Sequence, residues 1–159
     1  MVLYLALVSR RCRGICGGAF CRLPVSFRTP ATTAEIKGLD VSLATTAGSA
    51  NGTFAASGVP AGTYDVAIKG AKNLRVVLRN VVVSGSTAAL PNVLLPAGDA
   101  NGDNSVDSSD FGVLIGAFNT AASLPGNGYD PTADFDCDGL VDSNDFGLLI
   151  GEFNTQGAP

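Results

Sequence analysis

Residues 99–110 and 134–145 are two copies of one acidic pattern, spaced thirty-five residues apart. The first copy puts Asp99, Asn101, Asp103, Asp107 and Asp110 at positions 1, 3, 5, 9 and 12, and the second puts Asp134, Asp136, Asp138, Asp142 and Asp145 there. Four carboxylates in the first stretch and five in the second would repel one another at short range unless a cation joined them. Ca²⁺ is a hard cation that takes about six to eight oxygens, and oxygens on alternate residues of a tight twelve-residue loop converge on one point. Position 7 contributes its backbone carbonyl, so Leu140 serves there as well as Ser105. Position 6 requires a sharp turn, often with positive φ, which suits Gly139 and, next to glycine, Asn104. The pattern predicts two calcium sites in the chain.

The repeat continues beyond each loop. Phe111, Leu114, Ile115 and Phe118 recur as Phe146, Leu149, Ile150 and Phe153, the spacing of one helix face. The stretches before the loops, residues 92–98 and 124–133, each carry proline and glycine, so no helix is expected there. Each unit is therefore half of an EF-hand, a loop followed by one helix. Both loops end in Asp where an EF-hand has a bidentate Glu. The core expected here is small: the eight apolar helix positions, Val106, Val141 and Tyr129 from the linker. Gly112, Gly116, Gly147 and Gly151 weaken the helices by about 1 kcal/mol each relative to Ala. These glycines lie along one stripe per helix and are read as letting the two helices approach closely, with docking of a partner as the other reading. The C-terminal unit is thus expected to fold on binding metal. Cys137, at position 4, is expected to point away from the ion and to have no role.

Residues 97–157 resemble the type I dockerin module, with duplicated loop-helix segments, Asp at position 12 and Val106 and Val141 at position 8. The resemblance implies a secreted or cell-surface protein, often one linked to polysaccharide degradation, that is anchored to a cohesin-like partner. It also implies two-fold pseudosymmetry, so that a partner could dock in two orientations. Recognition in that family centres on loop positions 10 and 11, here Ser108 and Ser109 and again Ser143 and Asn144. The helix centres depart from the family, with Gly116-Ala117 and Gly151-Glu152 in place of the basic residues common there. That departure points away from the familiar cellulosomal cohesins, to a different cohesin, another cell-surface acceptor or a neighbouring domain of the same protein.

Charge is unevenly spread. From Gly98 onward there are ten Asp and one Glu and no Lys or Arg, which argues against nucleic-acid binding by this end. Residues 1–33 hold five of the ten basic residues and read as a poorly ordered basic segment, a signal remnant or a misassigned start. The apolar run 1–8 is too short to span a membrane. Cys12, Cys16 and Cys21 lack a fourth ligand, and the sequence has no His, so zinc is not expected. There is no nucleophile with a recognisable base, and nearly every C-terminal carboxylate is committed to a loop, so this chain is expected to be non-catalytic.

Residues 34–96 alternate short β-rich runs with Gly, Pro, Asn and Ser. The first strand is expected at 41–46, a hairpin turn at Asn51-Gly52, then strands at 53–56, 64–69, 74–79, 81–83 and 89–95. Each strand is expected to bury one face in a small antiparallel sandwich. The run Gly58, Val59, Pro60, Ala61, Gly62, Thr63, Tyr64, Asp65 and Val66 resembles carboxypeptidase-regulatory or Cna-B β-sandwiches, a carbohydrate-binding-like fold. Some relatives bind sugars on exposed aromatics. Only Phe54 and Tyr64 are on offer here, and Tyr64 falls on the apolar face, so a spacer role is favoured over glycan binding. The fold class expected is mixed: an antiparallel β-sandwich followed by an all-α unit of two calcium loop-helix half-hands.

Overall fold

The computed structural model describes residues 2–8, 21–45, 51–84 and 87–159, and the fold has two parts, one of β-strands and one built on two helices. The strands of the first part are β1 (Val2–Val8), β2 (Cys21–Arg28), β3 (Glu35–Thr45), β4 (Asn51–Ala56), β5 (Gly62–Ile68), β6 (Val76–Val83) and β7 (Thr87–Val93). They form one seven-stranded sheet in the order β6-β5-β2-β3-β4-β1-β7. All pairings are antiparallel except that of β1 with β7, which departs from the purely antiparallel expectation. The long strand β3 pairs with β2 over most of its length and with β4 only at Ala44 and Thr45. Strands from the two ends of the sheet order share one core: Leu90 and Val93 of β7 join Val25, Phe27, Val66, Ile68 and Val83 from β2, β5 and β6.

Several expectations are corrected. The described residues among the first 33 are not set apart from the sheet, because 2–8 and 21–28 supply β1 and β2, and Val25 and Phe27 are among the most buried side chains. The alternation of Val25 and Phe27 with Ser26 and Arg28 is what places β2 there. Asn51 and Gly52 do not form a turn. They open β4, paired with Val8 and Leu7. The two runs expected at 74–79 and 81–83 are one strand, β6, in which Asn80 takes φ 53° and the pairing with β5 slips between Tyr64 and Val66. Cys12, Cys16, residues 46–50 and the side chain of Phe54 lie outside the described residues.

Strand β5 buries both faces, not one. Tyr64, Val66 and Ile68 enter the core, while Asp65 and Ala67 are covered from the other side. The Tyr64 ring packs edge-on against Phe27, with ring centroids 5.7 Å apart, and its hydroxyl donates to the Pro60 carbonyl at 3.1 Å. A ring held in this way is unable to stack on a sugar.

The second part runs β8 (Ser105–Val106), α1 (Ser108–Ala117), β9 (Thr120–Ala121), β10 (Leu140–Val141), α2 (Ser143–Gly151) and β11 (Thr155–Gln156). It is therefore not all-α. β8 pairs with β11 and β10 with β9, so each loop is laced to the segment that follows the other loop's helix. Asn119 and Asn154, both with φ near 60°, start these ladders by donating to the carbonyls of Val141 and Val106. The core beneath holds Val106, Val141, Leu114, Leu149, Ala100, Phe135 and Ala133, with Tyr129 partly buried against it. Among the described residues, no helix is long and apolar enough to cross a membrane.

Candidate metal centre

Each loop is wound by its own side chains. In the first, Oδ1 of Asn101 accepts from the Asp103 amide at 2.9 Å, Asp103 from Ser105 at 2.8 Å and Asp107 from Ser109 at 2.7 Å. In the second, Asp136 accepts from Asp138 at 3.2 Å, Asp138 from Leu140 at 2.9 Å and Asp142 from Asn144 at 2.7 Å. Every such bond spans two residues and turns one side-chain oxygen toward the chain. The conformations needed for this winding are present: Asn104 and Gly139 at position 6 have φ 73° and 89°, and Gly102 and Cys137 at position 4 have φ 82° and 62°.

The last loop residue also caps the helix. Asp107 and Asp142 are the N-caps, and Asp110 and Asp145 reach back to their amides at 2.9 Å, closing a capping box on each helix. The other oxygen of Asp110 accepts from Ala100 and Asn101 at 2.8 and 3.1 Å, and that of Asp145 from Phe135 and Asp136 at 2.6 and 3.2 Å. These side chains thereby fasten the end of each loop to its start. Burial pushes the Asp145 carboxyl above its ordinary range, and the charge of Asp136 adds to this, against three backbone N–H groups that pull it down.

Ligand atoms of Asp134, Asp136 and Asp138 lie within 4.8 Å of one another. Oδ1 of Asp134 is fully buried and has no hydrogen-bond partner. A buried carboxylate oxygen without a donor is costly unless a cation meets it. The donor set is all oxygen, which suits a hard divalent ion and calcium in particular. In the first loop Asn101 takes one carboxylate's place, and its amide donates to Asp103 at 2.9 Å.

Two residues have larger roles than the sequence revealed. Tyr129 does pack on the helical core, but its hydroxyl also donates to Oδ2 of Asp134 at 2.6 Å, and burial with that carboxylate raises its pKa. A lone tyrosine five residues before the loop was the available signal. Cys137 is buried, with its sulfur 3.4 Å from the ammonium of Lys72, a residue of the β-part. Nothing in the local sequence points to Lys72.

Ser108, Ser109, Ser143 and Asn144 are exposed on the first turns of the two helices. Along the same faces run Gly112, Ile115 and Gly116, and Gly147, Ile150 and Gly151, all exposed. The expected core of eight helix positions is mostly not core. Leu114 and Leu149 are fully buried, whereas Ile115, Phe118, Phe146, Ile150 and Phe153 are exposed. A Cβ added at any of the four helix glycines would meet nothing within 4 Å, so these glycines do not serve helix–helix packing. Ala117, expected at a helix centre, is the last residue of α1 and is core.

Fold and site together define a β-domain joined to a duplicated loop-helix unit. Residues 97–154 match the family model of the dockerin type I domain. No curated protein shows significant similarity to the chain. Among solved structures, the fold is similar to a chain in the crystal structure of an N-terminal interface mutant of a type II cohesin–X–dockerin complex from Acetivibrio cellulolyticus. The TM-score is 0.68 at 22% identity, over 98% of this chain and 97% of that one. A C-terminal interface mutant of that complex gives a TM-score of 0.67 at 23% identity with the same coverage. The likeness of fold thus spans both parts of the chain.

Proposed function

We propose that residues 97–157 form a non-catalytic module that folds around two calcium ions and docks its parent protein to a cohesin-like domain through the exposed faces of α1 and α2. The observation that carries this reading is the pair of matching faces, Ser108, Gly112, Ile115 and Phe118 and then Ser143, Gly147, Ile150 and Phe153, left uncovered at the surface. Exposed apolar surface arranged twice in the same way suits a protein partner. The family match over residues 97–154 and the complexes in which the similar folds occur support a cohesin as that partner. The metal ligands are Asp99, Asn101, Asp103, Asp107 and Asp110 with the Ser105 carbonyl, and Asp134, Asp136, Asp138, Asp142 and Asp145 with the Leu140 carbonyl. Calcium neutralises the clustered carboxylates and holds each helix start at a fixed angle to its loop. Residues 34–96, with β1 and β2, form a spacer. The parent protein works outside the cell or on its surface, in polysaccharide breakdown.

The test is calorimetric titration of the full chain with type I and type II cohesin domains, in millimolar calcium and again in chelator. Binding to one class in calcium and none in chelator is expected. If the two faces are interchangeable, Ile115→Asp or Ile150→Asp alone weakens binding only about twofold, the weight of one of two modes. The double variant loses about 2 kcal/mol or more, as when a central anchor is removed. Unchanged binding by the double variant would place the interface elsewhere.

A further inference from the structure

Asp99 and Asp134, the first residues of the two loops, are both wholly buried. Each turns Oδ2 to the amide of position 6, Asn104 in one loop and Gly139 in the other, at 3.0 Å in both. Each Oδ2 also accepts a second bond from outside its loop, and here the copies differ. Asp134 takes the neutral hydroxyl of Tyr129 at 2.6 Å, whereas Asp99 takes the ammonium of Lys69, a residue of the β-part, at 2.5 Å. The inner oxygens differ as well. That of Asp134 is buried and open to a cation, and that of Asp99 already accepts from the Gly102 amide at 2.7 Å. Lys72 also crosses from the β-part, but it lies on the main-chain oxygens of Pro131 and Asp134 and on the Cys137 sulfur, and Oδ1 of Asp134 stays open.

We propose that Lys69 is a resident counter-cation of the first loop, which makes the β-part a component of that metal site and leaves the first loop the weaker of the two for calcium. This rests on the calcium reading above. A donor bonded to the outer oxygen of a ligand orients it, and losing such a donor usually costs about 10- to 100-fold in metal affinity. Tyr129 does only that. Lys69 does the same and in addition sets a positive charge close to a dication, bonded to a wholly buried carboxylate where Coulomb repulsion is stronger than in water. The repulsion acts on a double charge and outweighs the loss of one orienting bond. Without metal, the same ammonium holds the buried Asp99 in place.

The two roles give opposite signs in one experiment. The full chain is loaded with calcium and titrated by competition with a chelator, so that a variant that unfolds without metal still reports. An Asp136→Asn background, which cripples the second loop, assigns the remaining transition to the first. Two unequal transitions are expected for the natural chain. Lys69→Met tightens the weaker one by about tenfold, Lys69→Arg keeps its value, and Tyr129→Phe weakens the stronger one by about tenfold. Two equal sites, or a Lys69→Met variant whose first site weakens, would overturn the proposal while leaving the calcium reading intact. No calcium uptake by the natural chain would overturn both.

Discussion

At the scale of single residues, the most consequential side chain outside the loops is Asp65. It is buried in β5 and accepts from the Asn80 amide at 2.9 Å, the Ala31 amide at 2.9 Å and the Arg79 guanidinium at 2.7 Å. The Asn80 N–H, with Arg79 and Ala31, holds the carboxyl below its ordinary range against the opposing effect of burial. Arg79 itself is half exposed, so solvent screens its share of the effect, and the Asn80 N–H is the largest cause. The sign follows from the lowered value: the unfolded chain binds the proton better. The stabilisation is complete above the ordinary carboxylate range, near pH ~4, and is lost as pH falls through the native value. Asp65→Asn should therefore unfold at lower temperature than the natural chain at pH 7, and the gap should narrow as both are taken toward pH 2. A gap independent of pH would mean that charge plays no part. This residue was not legible in the sequence. Strand alternation put it on the outer face, and its partners lie 15 and 34 residues away. Asn104 and Gly139 were legible, because the turn that requires their φ of 73° and 89° is set within a few residues.

At the scale of elements, periodicity located both helices but overstated their core. The i, i+3, i+4, i+7 stripe is wider than two helices of ten and nine residues can cover on each other, so Leu114 and Leu149 go in while Ile115 and Ile150 stay out. Which half of a stripe is buried depends on the crossed ladders β8–β11 and β9–β10, pairings that no local pattern encodes. The glycines separate folding from docking. An added methyl at Gly112 and Gly147 meets open space. The pair of substitutions to Ala should raise the stability of the C-terminal part, about 1 kcal/mol for each helix interior position. If these stripes receive the partner, the same variant should bind the cohesin more weakly, because the methyls hold the two backbones apart. Chelator-driven unfolding followed by circular dichroism measures the first effect, and titration with the cohesin the second. Higher stability with unchanged affinity would remove the glycines from the interface.

At the scale of the whole molecule, the connection from Lys69 to Arg75 binds the two parts into one. Leu74 N donates to the Pro96 carbonyl at 2.8 Å and Gly98 N to that of Lys72 at 3.1 Å, while Arg75 N donates to Oδ1 of Asn104 at 2.7 Å. Leu74 itself leaves the sheet and is buried with Ala100, Val106 and Leu114. The alternation of this leucine with Val76 and Leu78 fits a strand of the sandwich. Its burial by the other part depends on contacts made across the chain. The consequence is measurable through metal removal. Leu74→Ala deletes a core side chain of the C-terminal part without touching a loop, and such truncations cost ~2–5 kcal/mol. If folding of that part and uptake of two ions are one event, the loss is shared between the ions. Even ~2 kcal/mol, or ~1 per ion, then raises the free calcium at the folding midpoint about fivefold. Calcium-buffered circular dichroism of the full chain reads that midpoint directly. A shift of this size would make the β-part a contributor to calcium-dependent folding, and an unchanged midpoint would mean that the two parts fold independently despite the bonds between them.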